Sequence, residues 1–137
     1  MSDYFKYLTQ SLEDKTSGFY LTVGGHAHVP PGKEYPPDGH PSGYNFNWNK
    51  GRILQEYQIN YITEGEGIME TAEGEFLIKE GSVILIRPNM WHRYKPLKER
   101  GWMEHYVGFK GEFAARIIDN FDIFVGTSVI QIGFQEK

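Results

Sequence analysis

Apolar and polar residues alternate along most of the chain. In "GFYLTVGGHAHV" the alternation puts Phe19, Leu21 and Val23 on one side, the period of a strand. "RILQEYQINYIT" is longer and richer in β-formers, and it runs into "EGEG", which reads as a turn. "GIMET" and "EFLIK" are short strands around the turn "AEG". "GSVILIRP" is another, closed by Pro88, and "WMEHYVGF" follows the polar turn "LKERG". Two stretches carry helical spacing instead. "DYFKYLTQSLE", residues 3–13, predicts a short helix with Asp3 as N-cap and Phe5, Leu8 and Leu12 on one face. "GEFAARIIDNF" spaces Phe113, Ile117, Ile118 and Phe121 as a helix after Gly111, and "SVIQIGF" predicts a last strand. Short strands at close spacing point to an all-β sandwich or barrel.

The stretch Pro30–Trp48, "PPGKEYPPDGHPSGYNFNW", is too dense in Pro and Gly for long regular structure. Its rings, Tyr35, Tyr44, Phe46 and Trp48, predict a loop pinned to the body of one domain. Alternation also sorts the strand faces. Arg52, Leu54, Glu56, Gln58, Asn60 and Ile62 share one face, and Tyr57, Ile59 and Tyr61 the other. The first face mixes polar and aliphatic side chains, as the lumen of a ligand-holding barrel does. The same mixture would also suit a solvated face. Trp102, Glu104 and Tyr106 share a face as well, so a carboxylate lies between two rings. That trio suits either a sugar, with rings on its apolar side and a carboxylate on its hydroxyls, or an ordinary surface.

Composition narrows the choices. The chain has 137 residues, enough for one domain and one core. Its net charge is −4, from 14 Lys+Arg against 18 Asp+Glu, which argues against this segment gripping DNA by itself. It has no cysteine, hence no disulfide or thiolate metal site. The start, "MSDYFKYLTQ", lacks the plan of a signal peptide, and no apolar run is long enough to span a membrane. A cytoplasmic protein is the expectation. There is no G-x-S-x-G, Walker loop or dinucleotide fingerprint.

Five histidines remain: His26, His28, His40, His92 and His105. His26 and His28 share a strand face, and with His92 and Glu104 they could compose a metal set. His40, in "DGHPSGY", reads as a loop-pinning residue. His105 falls on the face opposite Glu104, so those two should not line one pocket.

The order of a strand, "GEG", "GSVILIRP" and then His92 resembles a cupin barrel. The second cupin motif is present in Gly81, Pro88 and His92. The first is not: its glutamate position falls on Gln58, and its histidine positions fall near Arg52 and Leu54. A narrower resemblance, carried by "GRILQEYQINYITEGEG", "GSVILIRPNMWHRYKP", "GWMEHYVGFKG" and "YPPDGHPSGYNFNW", is to the N-terminal effector-binding domain of AraC-type transcription regulators. It implies a mostly β, cupin-like double-stranded β-helix (jelly-roll) barrel with a C-terminal helical segment. It implies a metal-free pocket, without cofactor, for a small effector, often a sugar. Residues 1–137 would be one ligand-binding domain, a fragment lacking the C-terminal helix-turn-helix pair that binds DNA, and part of a homodimer.

Arg52 and Glu104 fall near positions where the arabinose-responsive member contacts sugar. The expected pocket lining is Arg52, Gln58, Asn60, His92, Tyr94, Trp102 and Glu104, with no metal ligand and no catalytic residue. Arg52 and Glu104 could also pair with each other in a purely structural bridge. The alternative is a metal-dependent cupin enzyme, a sugar isomerase or dioxygenase, using His26, His28, His92 and Glu104.

Overall fold

A computed structural model describes residues 3–33, 48–120, 124 and 127–133. Its elements are β1 (Tyr4–Tyr7), α1 (Leu12–Thr16), β2 (Tyr20–Val29), β3 (Tyr57–Thr71), β4 (Gly74–Lys79), β5 (Ser82–Ile86), β6 (His92–Pro96), β7 (Trp102–Lys110), α2 (Glu112–Asp119) and β8 (Val129–Gln131). All strand pairings are antiparallel, in the order β1-β2-β7-β3-β5-β8, with β4 and β6 both paired to β3. The first half of β3 pairs with β5 and β7, and the second half with β4 and β6.

One core cluster joins the two halves: Val29, Leu54, Ile62, Met69, Ile78, Ile84, Ile86, Tyr94 and Trp102. A second lies behind the first sheet, where Ala114 and Ile118 of α2 pack on Leu85, Phe109, Tyr57 and Phe124. The polar-mixed face of β3 is the inward one: Gln58 is 3%, Asn60 0% and Ile62 0% exposed. That face is therefore interior and not solvated.

Several expectations are corrected. "EGEG" is not a turn, because β3 runs through it as one 15-residue strand with an irregularity between Ile62 and Glu64. Gly65 adopts φ 91°, and a Cβ there would come within 2.1 Å of the Gly101 carbonyl oxygen. These glycines let the strand bend from one sheet into the other against the β7 lead-in. Gly65→Ala is expected to destabilise the domain by about 2 kcal/mol or more, read from the midpoint of urea unfolding.

The helix expected over residues 3–13 is a strand followed by one short helix. Asp3 does not cap; its Oδ1 accepts the backbone N–H of His28 at 2.7 Å. The cap of α1 is Ser11, in a reciprocal capping box with Asp14. Residues 4–7 extend because the edge of β2 offers them a register, Tyr4 opposite His26 through Tyr7 opposite Val23.

The strand expected from Arg52 begins only at Tyr57; Arg52 instead forms an isolated bridge with His92. In α2, Ala114 and Ile118 form the buried side, while Phe113 and Ile117 face outward. Likewise Val23 is buried but Phe19 and Leu21 are exposed, because a register shift between Leu21 and Val23 breaks the alternation.

Trp48 is pinned as expected: the Arg93 guanidinium lies 4.3 Å and the Lys95 ammonium 4.1 Å from its ring centre. Tyr35, His40, Tyr44 and Phe46 lie outside the described residues.

Candidate functional site

The first half of β3 delivers Gln58 and Asn60 to the inner face. Strand β6 delivers His92 and Tyr94, and β7 delivers Trp102 and Glu104. All six are buried, and Arg52, half-buried, closes over them from the Arg52–His92 bridge. The seven expected residues therefore do come together.

They are wired to one another. Arg52 Nε donates to His92 Nε2 at 3.0 Å, and Arg52 Nη2 donates to the Tyr94 hydroxyl at 3.1 Å. Gln58 Nε2 donates to Asn60 Oδ1 at 2.8 Å and to the Tyr94 hydroxyl at 3.4 Å; Asn60 Nδ2 reaches the same hydroxyl at 3.3 Å. Trp102 Nε1 donates to Glu104 Oε2 at 2.7 Å. The Tyr94 ring sits between His92, stacked at 6.1 Å, and Trp102, tilted at 6.0 Å. The direct Arg52–Glu104 bridge that the sequence leaves open is not made: Arg52 turns to His92 and Tyr94, and Glu104 to Trp102.

The protonation of His92 follows from its partners. Nδ1 lies 2.9 Å from the Met90 carbonyl oxygen, which can only accept, so Nδ1 carries the hydrogen. Nε2 accepts from Arg52 and so carries none. Burial first, then the Arg52 charge, push the imidazole down to about 3, against the weaker opposing pull of the Met90 carbonyl. His92 is thus neutral, and Arg52 occupies the nitrogen that a metal would need.

The metal set of the alternative reading does not assemble. His26 lies opposite His105 in the β2–β7 register, whereas Ala27 lies opposite Glu104. Directly opposed residues share a face, so His26, His28 and His105 are on the outer side of the sheet and Glu104 is on the inner side. There His26 and His105 lie 6.1 Å apart, and burial with the nearby His26 holds His105 below its ordinary value. The separation of His105 from Glu104 is as expected.

Sequence reasoning missed one end of the site. Glu56, 7% exposed, accepts from Thr22 Oγ1 at 2.6 Å, and a Cβ on Gly108 would lie 2.2 Å from its Oε2. Tyr7 belongs with it: burial pushes the phenol up to about 12, with Arg52 opposing and Glu56 adding. The Tyr106 hydroxyl lies over Gly25, and burial followed by the Glu104 charge raises it. Glu56 and Tyr106 were legible from strand parity. Tyr7 was hidden by the helical spacing of its segment, although Asp3, Phe5 and Tyr7 also alternate. A surface cleft of about 380 Å³ beside Leu8, Asp14, Phe19 and Leu21 includes none of the seven residues.

A bent central strand, facing sheets with an apolar interlayer and a buried polar cluster on the inner side define a cupin-like β-barrel. Solved structures similar to this chain include the protein YhaK from Escherichia coli, at TM-score 0.55 and 16% identity, covering 80% of this chain and 45% of that one. They also include the cupin domain of Schizosaccharomyces pombe Cnp3 (TM-score 0.49, 15% identity, 86% and 73% covered). A third is a cupin protein from Bacteroides fragilis (TM-score 0.46, 16% identity, 77% and 85% covered). The chain thus spans less than half the length of YhaK. No curated protein matches it. The AraC-like ligand-binding domain family matches residues 31–130, and the chain belongs to that family. No helix among the described residues is long and apolar enough to cross a membrane.

Proposed function

We propose that this chain is the effector-sensing domain of an AraC-type transcription regulator, binding a small carbohydrate on the inner face without a metal. Family membership supports ligand binding. The observation that carries the chemistry is the Arg52–His92–Tyr94 arrangement, in which a guanidinium takes the place at a buried histidine where a metal would sit. Gln58, Asn60, Tyr94 and Glu104 supply amide, hydroxyl and carboxylate groups suited to sugar hydroxyls, and Trp102 supplies an apolar plate. A ligand that binds one arrangement of the domain better than another biases its contacts with a DNA-binding partner domain; DNA contact belongs to that domain, and a homodimer fits the same reading.

A thermal-shift panel of mono- and oligosaccharides tests this in protein treated with a chelator. At least one sugar is expected to raise the midpoint, and Arg52→Ala and Glu104→Ala are each expected to abolish that response. Full retention of the response in both variants would remove these residues from the site. Stoichiometric iron, manganese, nickel or zinc in protein purified without chelator would remove the metal-free reading.

A further inference from the structure

We propose that β4 is a docking edge for a second copy of this chain, the two β4 strands pairing antiparallel about Leu77. This surface lies outside the inner-face cluster, and the inference stands whatever that face binds.

The backbone of β4 turns one set of its hydrogen-bonding groups away from the molecule. Strand β4 pairs with β3 on one side, and among the described residues no strand pairs with it on the other. Glu66 of β3 gives its N–H to the Gly101 carbonyl and takes the Leu97 N–H on its own carbonyl, both on the side away from β4. Glu66 and its opposite, Lys79, therefore exchange no backbone hydrogen bonds. Alternation along the ladder makes Ile68 with Leu77, and Glu70 with Glu75, pairs of the same kind. Residues 75, 77 and 79 thus direct their N–H and carbonyl groups outward from the edge. The Lys79 N–H goes to Ser82 Oγ at 3.0 Å. Those of Glu75 and Leu77 are taken up by nothing among the described residues. Leu77 is 61% exposed, and Glu75 and Lys79 are exposed beside it.

Edges are commonly guarded by a proline, a bulge or charged side chains. Strand β4 has no proline, and its register with β3 has no bulge. Its two charges are of opposite sign and stand symmetrically, Glu75 before Leu77 and Lys79 after it. An antiparallel pair centred on Leu77 therefore sets each Glu75 opposite the second copy's Lys79, with the two leucines between. Leu77 exchanges backbone bonds with its counterpart, and each Glu75 N–H reaches the other copy's Lys79 carbonyl. Neither charge is satisfied within its own chain. Glu75 lies opposite Glu70, which pairs with Arg93 at 3.0 Å. Lys79 lies opposite Glu66, which pairs with Arg100 at 2.8 Å. Among the described residues, Glu75 and Lys79 make no ion pair. Joining the copies gives Glu75 a cation on the side away from Glu70. On the other face, half-buried Phe76, which packs on the apolar interlayer, comes opposite the second copy's Ile78.

Sedimentation equilibrium of this chain over a concentration series at low salt tests the proposal. The mass is expected to rise from one chain to two. Glu75→Lys and Lys79→Glu each set like charges against one another at both ends of the joint. Each is expected to raise the dissociation constant by about tenfold or more. Mixed in equal amounts, the two variants should pair as the parent does, and so should E75K/K79E alone. A parent that keeps the mass of one chain throughout would overturn the proposal and leave the edge to a strand of another protein. Undiminished pairing of both single variants would overturn it too, because the copies would meet elsewhere. Failure of both the mixture and the double variant to pair would do the same.

Discussion

Acidification from pH 6.5 to pH 3 is expected to remove about 4 kcal/mol of stability through His92 alone, because each pH unit between the folded and unfolded titration points is worth about 1.4 kcal/mol. The sign follows from the fold. The imidazole is neutral and 0% exposed, and its folded value is pushed down to about 3, below the ordinary 6.5. The unfolded chain binds the proton more readily. The stabilisation is therefore complete above about pH 6.5 and is lost progressively as the pH falls toward 3. His105, held low by burial and His26, acts in the same direction. Urea unfolding at a series of pH values measures the slope. His92→Gln should lower stability at neutral pH by about 1–3 kcal/mol, since it disturbs a buried hydrogen-bonded pair, and should flatten the acid limb. An acid limb as steep in the variant as in the parent would assign the slope to other groups.

Trp102→Ala is expected to cost about 3–5 kcal/mol, the range for emptying a large aromatic from a core. The ring is 2% exposed and fits a surface made for it: a Cβ on Gly67 would lie 2.4 Å from the indole. The same change removes one donor, at 2.7 Å, from the buried Glu104 carboxylate. Trp102→Phe separates the two effects, since it keeps most of the volume and removes only the N–H. It should cost about 1–3 kcal/mol, the range for removing one hydrogen bond to a buried charged acceptor. Chemical denaturation of both variants gives the division. A Phe variant as stable as the parent would show that the indole–Glu104 bond carries no net stability.

Much of the barrel was legible because its strands have a buried and a less buried face, and period-two alternation records that directly. "QEYQINYI" showed the inward row, and parity alone placed Glu104 opposite in sense to His105. The misreadings have a common cause in tertiary context. Glycines in "EGEG" signal a turn locally, yet Gly65 and Gly67 are there to admit Gly101 and Trp102 against a continuous strand. Phe5, Leu8 and Leu12 fit a helix locally, yet residues 4–7 extend because β2 has an edge to fill. The wiring of the site was not legible at all. Arg52 and His92 are 40 positions apart, and no local pattern says that the guanidinium ends on the imidazole. What the sequence did carry was the absence of the first motif's ligands, with Gln58 and Arg52 near their places. The structure turns that absence into a positive arrangement, a neutral histidine bound by an arginine.

The indole N–H signals of the three tryptophans, followed by ¹H–¹⁵N correlation spectra during titration with the most stabilising sugar in the presence of chelator, report whether the ligand enters the barrel. Trp102 lies on the inner face, whereas Trp48 and Trp91 lie against Arg93 on the outside. A ligand held within the barrel should move the Trp102 signal saturably, together with the side-chain amides of Gln58 and Asn60, and leave Trp48 and Trp91 in place. Shifts confined to Trp48 and Trp91, with Trp102 unmoved at saturation, would put the ligand outside the barrel and contradict the account.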